Sequence, residues 1–314
     1  MQPVDNPMMT LETARAIAAR HGLCAGTPRL LRVGASVTVY LLGNRYVLRA
    51  LHRVADDPIA ARTEVVAVWA PREAGVRAPR LVAFDDTRDL LPVPYTLYER
   101  LEGEALEALG LPPGATPQVW RELGRDLALL HTAVRADGPA GRLGTWPANP
   151  DPRPWLEEAT AAGYFNPGEA RWLMGWLDRL APIAQAPVHA QFCHGDVNAS
   201  NVMVRAGATG VLEYLALLDW DAAGWGDPAW DFSGVPLRAA LPLLAAHREI
   251  APLSADETAE ARILWSRLQL GLFGLRREHA REAAWATPAA RRLLDGVRYF
   301  VGATCLRELG PSAP

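Results

Sequence analysis

Between residues 194 and 231 the sequence carries side chains of the types that phosphoryl transfer needs, at spacings that can serve it. The run His194-Gly195-Asp196-Val197-Asn198-Ala199-Ser200-Asn201 sets an asparagine five residues after an aspartate. An apolar stretch from Leu215 then ends in Asp219, followed by Trp220-Asp221, Gly224-Trp225-Gly226-Asp227-Pro228 and Asp231. Moving a phosphoryl group asks little covalent chemistry of a protein; the work is holding an acceptor hydroxyl in line and neutralising charge on the phosphates. Asp196 can accept a hydrogen bond from that hydroxyl, orient it and take its proton late. Asn201 and Asp219 can offer oxygens to magnesium, a hard cation bound through one or two protein groups together with phosphates and water.

The neighbouring residues read differently. His194 is expected to brace the loop from the core, and Asp227 and Asp231 to cap a helix or bond the loop backbone. Asn198 faces either acceptor or phosphate. His189, Cys193 and His194 lack the paired spacing of a zinc motif. Cys193 and His194 are adjacent on an extended segment, so their side chains point to opposite faces and cannot act as thiol and base.

The elements that must position these residues fall into two kinds. Thr10 caps a helix whose Leu11, Ala14, Ile17 and Ala18 share a face, ending near His21-Gly22. Val37 to Leu42 and Arg45 to Leu51 are strand-forming runs joined by Gly43-Asn44, the composition of a two-residue hairpin turn. Asp57-Pro58 opens a helix to about Ala74 with an apolar stripe of Val65, Val68 and Trp69. Leu81 to Phe84 and Tyr95 to Arg100 read as two further strands. From Pro117 the pattern turns helical: Trp120, Leu123, Leu127 and Leu130 recur at helical spacing, with similar stripes at Trp172 to Leu180 and Ile263 to Leu275. The boundary is expected near Leu101-Glu102-Gly103, and Pro147, Pro150, Pro152 and Pro154 read as a linker.

Composition narrows the partners. A net charge of -3 over 314 residues gives no electrostatic footprint for nucleic acid and no polybasic patch for a membrane. No stretch reaches the roughly 18 uncharged residues of a spanning helix. The N-terminus, with Asp5 and no apolar run, is not a signal peptide, and three widely spaced cysteines (Cys24, Cys193, Cys305) suit free thiols. The expected location is the cytoplasm. All 32 basic residues are arginine, so any phosphate-binding cation must be one. Nothing in the residues specifies an oligomeric state.

The ordered segments His194-Gly195-Asp196 through Asn201, and Leu218-Asp219-Trp220-Asp221 leading to Gly226-Asp227-Pro228 and Asp231, resemble the aminoglycoside phosphotransferase and choline kinase family. Its members are small-molecule relatives of the eukaryotic protein kinases. The resemblance implies an α+β, two-lobed protein-kinase-like fold. Residues 1–100 would form a nucleotide-binding lobe of antiparallel sheet with one central helix, and 101–314 a mainly helical, catalytic and acceptor-binding lobe. It implies transfer of the γ-phosphoryl group of ATP, or of GTP, to a small-molecule alcohol, with Mg2+ as cofactor and Asp196 as catalytic residue.

In that nucleotide lobe, Val47 covers the adenine while Arg49, on the same strand face, reaches the α- and β-phosphates. Arg49 stands where the family often has lysine; it keeps the charge and adds a bidentate fork. Glu64 is the expected partner of this cation, Ser36 in Gly34-Ala35-Ser36 a nucleotide contact, and Glu99 to Leu101 the hinge beside the adenine edge. The absent lysine admits a second reading, a catalytically silent kinase-like nucleotide-binding module. A protein kinase is disfavoured because no Ala-Pro-Glu pattern follows Asp219. For the acceptor, arginines such as Arg262, Arg267, Arg276 and Arg298 outnumber carboxylates in the last helices, which speaks against a polycationic aminoglycoside if they are solvated surface. Trp225, Trp230 and Trp265 are expected as core rather than as a cation–π cage for a quaternary ammonium.

Overall fold

In the computed structural model, described for residues 10–23, 27–33, 37–51, 58–146, 150–208, 210–279, 288–304 and 306, helix α1 (Leu11–Arg20) precedes a run of strands. These are β1 (Pro28–Val33), β2 (Val37–Leu42) and β3 (Tyr46–Leu51), then α2 (Pro58–Glu73), β4 (Leu81–Asp85), β5 (Tyr95–Glu99) and the short β6 (Glu104–Ala105). Helices α3 (Pro117–Ala133), α4 (Arg153–Ala161) and α5 (Pro167–Ala184) follow. Strands β7 (Gln191–Cys193), β8 (Val202–Ala206), β9 (Leu212–Leu217) and β10 (Gly224–Gly226) carry the motif-bearing region, and α6 (Leu237–Arg248), α7 (Ala259–His279) and α8 (Pro288–Ala303) close the chain. Ser36, Asp57, Cys24, Cys305 and Pro147 lie outside the described residues.

The chain divides into two units, the first comprising Met1–Gly110, Ala133–Leu143 and Ser200–Ala223, the second Leu111–Thr132, Gly144–Ala199 and Gly224–Pro314. The first is built on an antiparallel sheet in the order β1-β2-β3-β5-β4. Strand alternation sends Tyr40, Leu42, Leu48, Ala50, Tyr95 and Leu97 to one face, where they form a core with Ala14 and Ile17 of α1. Leu48 and Leu97 are fully buried, each stabilising by about 1.5–3 kcal/mol. Val39, Leu41, Val47, Arg49, Thr96 and Tyr98 occupy the opposite face, since Val39 pairs with Arg49 and Arg49 with Thr96, while Leu41 pairs with Val47 and Val47 with Tyr98. A separate ladder, β6-β8-β9, also belongs to this unit.

The expected elements are present with local differences. The β2–β3 turn holds three residues rather than two, because Leu42 pairs with Tyr46 and leaves Gly43, Asn44 and Arg45 outside the ladder. Helix α2 buries Ala67 and Val68, but Trp69 is 56% exposed, so the stripe runs one residue away from the expected one. Strand β1, almost wholly exposed, is an edge strand that the sequence pattern does not announce. The proline run ends by opening α4, with Pro152 as cap and Pro154 in the first turn, where a missing N–H leaves no bond unmade.

The second unit is mainly helical. Its α3 buries Val119, Trp120, Leu123, Leu127 and Leu130 as the spacing predicts, and α5 starts with a capping box between Asn166 and Glu169. Trp176 and Leu177 of α5, Trp265 and Leu268 of α7 and Phe300 of α8 are buried. No helix among the described residues is long and apolar enough to cross a membrane.

Candidate active site

In the first unit Arg49 meets an aspartate 170 residues away in sequence: its Nη2 donates to Asp219 Oδ1 at 2.6 Å. Arg49 is aimed by its place in the middle of β3, on the sheet face that also carries Val47. Asp219 is aimed by the end of β9. Val202 pairs with Leu217 at the mouth of the β8–β9 ladder, and one step beyond it the Leu218 amide donates to the Asn201 carbonyl at 2.8 Å. Asn201, which is buried, and Asp219 are therefore delivered by neighbouring ends of one hairpin. Asp219 takes φ +65°, a left-handed conformation that aspartate tolerates better than most residues. The turn is clamped behind it, since the buried Trp220 donates its indole N–H to the Leu217 carbonyl at 2.9 Å.

Val47 is half-buried on the Arg49 face. Toward the expected hinge, the Glu99 amide donates to the Arg80 carbonyl and the Arg100 amide to the Arg45 carbonyl, and the Glu99 carboxylate pairs with Arg80 at 2.8 Å. Both side chains of that pair are exposed to solvent. The Leu101 amide makes no hydrogen bond among the described residues. Glu64 lies within α2, but its side chain is outside the described set, as is Ser36.

The loop that bears Asp196 belongs to the second unit, where it is held by its backbone. Asp231, on a 3₁₀ turn over Pro228–Phe232, is fully buried and accepts the His194 amide (2.9 Å) and the Gly195 amide (2.8 Å). Burial pushes the Asp231 carboxyl up, but the hydrogen bond and charge of His131, the charge of His194 and the Gly195 amide outweigh it, so it lies below the usual carboxylate range. His194 is buried and its Nδ1 accepts the Asp196 amide at 3.2 Å; it is a brace. Gly195 turns the chain at φ +87°, which a side chain would oppose. Trp230 donates its indole N–H to the Gly195 carbonyl at 2.8 Å. With the loop so fixed, Asp196 itself is exposed, and Asn198 Nδ2 donates to its Oδ1 at 2.9 Å.

One glycine outside the motif supports this loop from behind. A Cβ on Gly234 would come within 2.6 Å of the Val197 carbonyl oxygen. Gly234→Ala should therefore shift the loop, costing about 1–3 kcal/mol in stability by denaturant melting, with a loss of turnover larger than that of nucleotide affinity.

Several expectations are corrected. Arg262 is 1% exposed rather than solvated: it pairs with Asp227, which also caps the 3₁₀ turn through the Ala229 amide, and it reaches the Ser254 and Ala255 carbonyls. Arg267 donates to the Phe232 and Val235 carbonyls at 3.2 and 2.7 Å. The arginine richness of α7 is thus partly internal, which weakens it as an argument about the acceptor's charge. Trp265 is core, Trp225 packs edge-on against Phe192, and Trp230 is committed to Gly195. Sequence reasoning missed His131 and His247, both fully internal. The signal was there: each is a polar residue on the apolar stripe of its helix, beside Leu127 in α3 and Leu243 and Leu244 in α6.

Comparison with known proteins shows the family and the fold. The sequence model of the phosphotransferase enzyme family matches residues 27–264. A viomycin phosphotransferase from Streptomyces vinaceus is 26% identical over 205 residues, covering 63% of this chain and 68% of that protein. Among solved structures, a GDP complex of an aminoglycoside 2′-phosphotransferase has a TM-score of 0.69 over 94% of this chain and 99% of its own, at 15% identity. A macrolide 2′-phosphotransferase from Brachybacterium faecium follows at 0.60 over 92% and 97%, with 21% identity. A choline/ethanolamine kinase family protein from Mesorhizobium loti stands at 0.59 over 96% and 97%, with 18% identity. These structures share the α+β, protein-kinase-like fold. The chain belongs to the phosphotransferase enzyme family and transfers a phosphoryl group to the hydroxyl of a small molecule.

Proposed function

We propose that this protein is a magnesium-dependent kinase of the cytoplasm that moves the γ-phosphoryl group of ATP, with GTP as an alternative donor, onto an alcohol of a small organic substrate. The observation that carries the reading is the Arg49–Asp219 ion pair beside Asn201: a cation for phosphates and two hard-oxygen groups for a metal, delivered by one sheet and one hairpin. Residues 1–100 act as the nucleotide-binding lobe and 101–314 as the catalytic and acceptor lobe. Val47 covers the base, Ser36 and Arg49 address the phosphates with Glu64 backing the cation, and Glu99 to Leu101 line the adenine edge.

The donor set fits magnesium, since a carboxylate already turned toward positive charge sits beside a carboxamide and neither offers a soft ligand. Asn201 and Asp219 would hold the ion, which when bound supplies positive charge against the phosphate oxygens. Asp196 accepts the hydrogen bond of the acceptor hydroxyl. As the new oxygen–phosphorus bond forms, the bond from the γ-phosphorus to its bridging oxygen breaks, the nucleoside diphosphate leaves, and the hydroxyl proton passes to Asp196. The viomycin, aminoglycoside, macrolide and choline or ethanolamine named for the relatives define the first acceptor panel.

A mass-spectrometric screen of that panel, extended to amino alcohols and sugars, with ATP or GTP and magnesium, should yield one phosphorylated product, formed about 10²–10⁴-fold more slowly with Asp196→Asn. Nucleotide binding with no product from any acceptor would refute the reading in favour of a silent module.

A further inference from the structure

Behind the Asp196 loop lies a chain of three buried side chains and a half-buried carbonyl whose hydrogen bonds fix a charge. The carbonyl of Ala251 lies 3.0 Å from His247 Nδ1, His247 Nε2 lies 3.0 Å from His131 Nδ1, and His131 Nε2 lies 3.0 Å from Asp231 Oδ2. His131, His247 and Asp231 are at most 3% exposed. The carbonyl at one end can only accept, so His247 Nδ1 carries a proton. An ionised Asp231 at the other end can only accept, so His131 Nε2 carries one. The contact between the rings needs a third, and a third proton makes the pair cationic.

We propose that His131 and His247 together hold one extra proton, carried on His131 as an imidazolium, and that His247 is thereby a positioning residue for the catalytic loop. By presenting a bare Nε2, His247 gives His131 Nδ1–H an acceptor and keeps both His131 nitrogens protonated. The resulting cation holds Asp231 as a carboxylate, and Asp231 in turn holds the His194 and Gly195 amides. The location of the charge follows from the surroundings. His131 faces Asp231. Burial, the charge of His131 and that of Arg248 drive His247 down to about 3, opposed by the Ala251 carbonyl and Asp256. Cys193, whose sulfur lies within 4.8 Å of ligand atoms of His131 and Asp231, is held a thiol by burial and the charges of Asp231 and Asp227, and the charge of His194 acts on Asp231.

A metal is the competing occupant, since ligand atoms of His131, Cys193 and Asp231 lie within 4.8 Å of one another. Ligation would require stripping His131 Nε2 and the Cys193 thiol of their protons. Both Asp231 oxygens already receive backbone N–H groups.

The positioning role rests on Asp196 being the base; the protonation pattern does not, so the two can fail separately. Long-range nitrogen–proton correlation spectra of the full-length, ¹⁵N-labelled protein at pH 8, assigned by His131→Gln, should show both His131 nitrogens protonated and His247 protonated at Nδ1 alone. In His247→Leu the Nδ1 acceptor is gone, and His131 should lose that proton by pH 8. Its kcat should fall by about tenfold to a hundredfold with nucleotide KM unchanged, and decline further as pH rises. His247→Gln, whose amide oxygen can still accept and whose NH2 can still reach Ala251, should keep the imidazolium and recover most of kcat. A single proton on wild-type His131 would overturn the proposal, whether Asp231 or a metal takes the other position. So would identical behaviour of the Gln and Leu variants.

Discussion

Asp196→Asn should bind nucleotide like the parent protein and lose about 10²–10⁴-fold in kcat, the range set by removing a positioned proton acceptor. The substitution is nearly isosteric, and the loop around it is held by groups it does not touch: the Asp231 carboxylate on two amides and the Trp230 indole on the Gly195 carbonyl. The Asp196 carboxylate accepts from Asn198 Nδ2, a bond that an asparagine oxygen can still accept. The fold and nucleotide binding should therefore remain, and what disappears is the carboxylate proposed to orient the hydroxyl and take its proton. Turnover from a coupled diphosphate-release assay, beside calorimetric nucleotide affinity, reads the two separately. A kcat within about threefold of the parent would mean that the base lies elsewhere.

Asp219→Ala should abolish the stabilisation that nucleotide gains from magnesium. A ligand at a hundred times its Kd stabilises by about 2.7 kcal/mol, or about 4 °C for a chain of this size. In the parent protein that shift should need the metal, because Asp219 neutralises Arg49 until something replaces it. Without the carboxylate that holds the metal, magnesium should add nothing to the stabilisation that nucleotide alone gives the variant. Alanine at φ +65° carries a backbone penalty of about 1–2 kcal/mol of its own. Asp219→Asn, which tolerates that conformation, is the companion that separates strain from lost ligation. A magnesium-dependent shift that survives both substitutions would remove Asp219 from the metal site.

What could be read in the sequence follows from how far apart the interacting residues lie. The loop from His194 to Asn201 and the strand ending at Asp219 declare themselves because local chemistry is local in sequence. The helical stripe of α3 and the β2–β3 hairpin were legible for the same reason. The partnership of Arg49 with Asp219 spans 170 residues and that of His131 with Asp231 spans 100, so neither leaves a local pattern. Edge strand β1 escapes because exposure on both faces erases the alternation that marks a strand. Arg262 misleads because an arginine paired inside a helical unit looks, letter by letter, like one at its surface.

The β8–β9 hairpin also acts as a ruler. Met203 pairs with Ala216 but Val204 with Tyr214, so Leu215 is an extra residue that sets the phase between the strands. Beyond it the pairing runs straight to Asn201 and Leu218. Changes in length beyond the far end of the hairpin, around the exposed Gly210 and Val211, leave that phase untouched, whereas loss of the one bulged residue would turn the Asp219 end of the strand over. Insertions and deletions across the lineage of this chain should therefore collect at one end of a hairpin and be purged at the other.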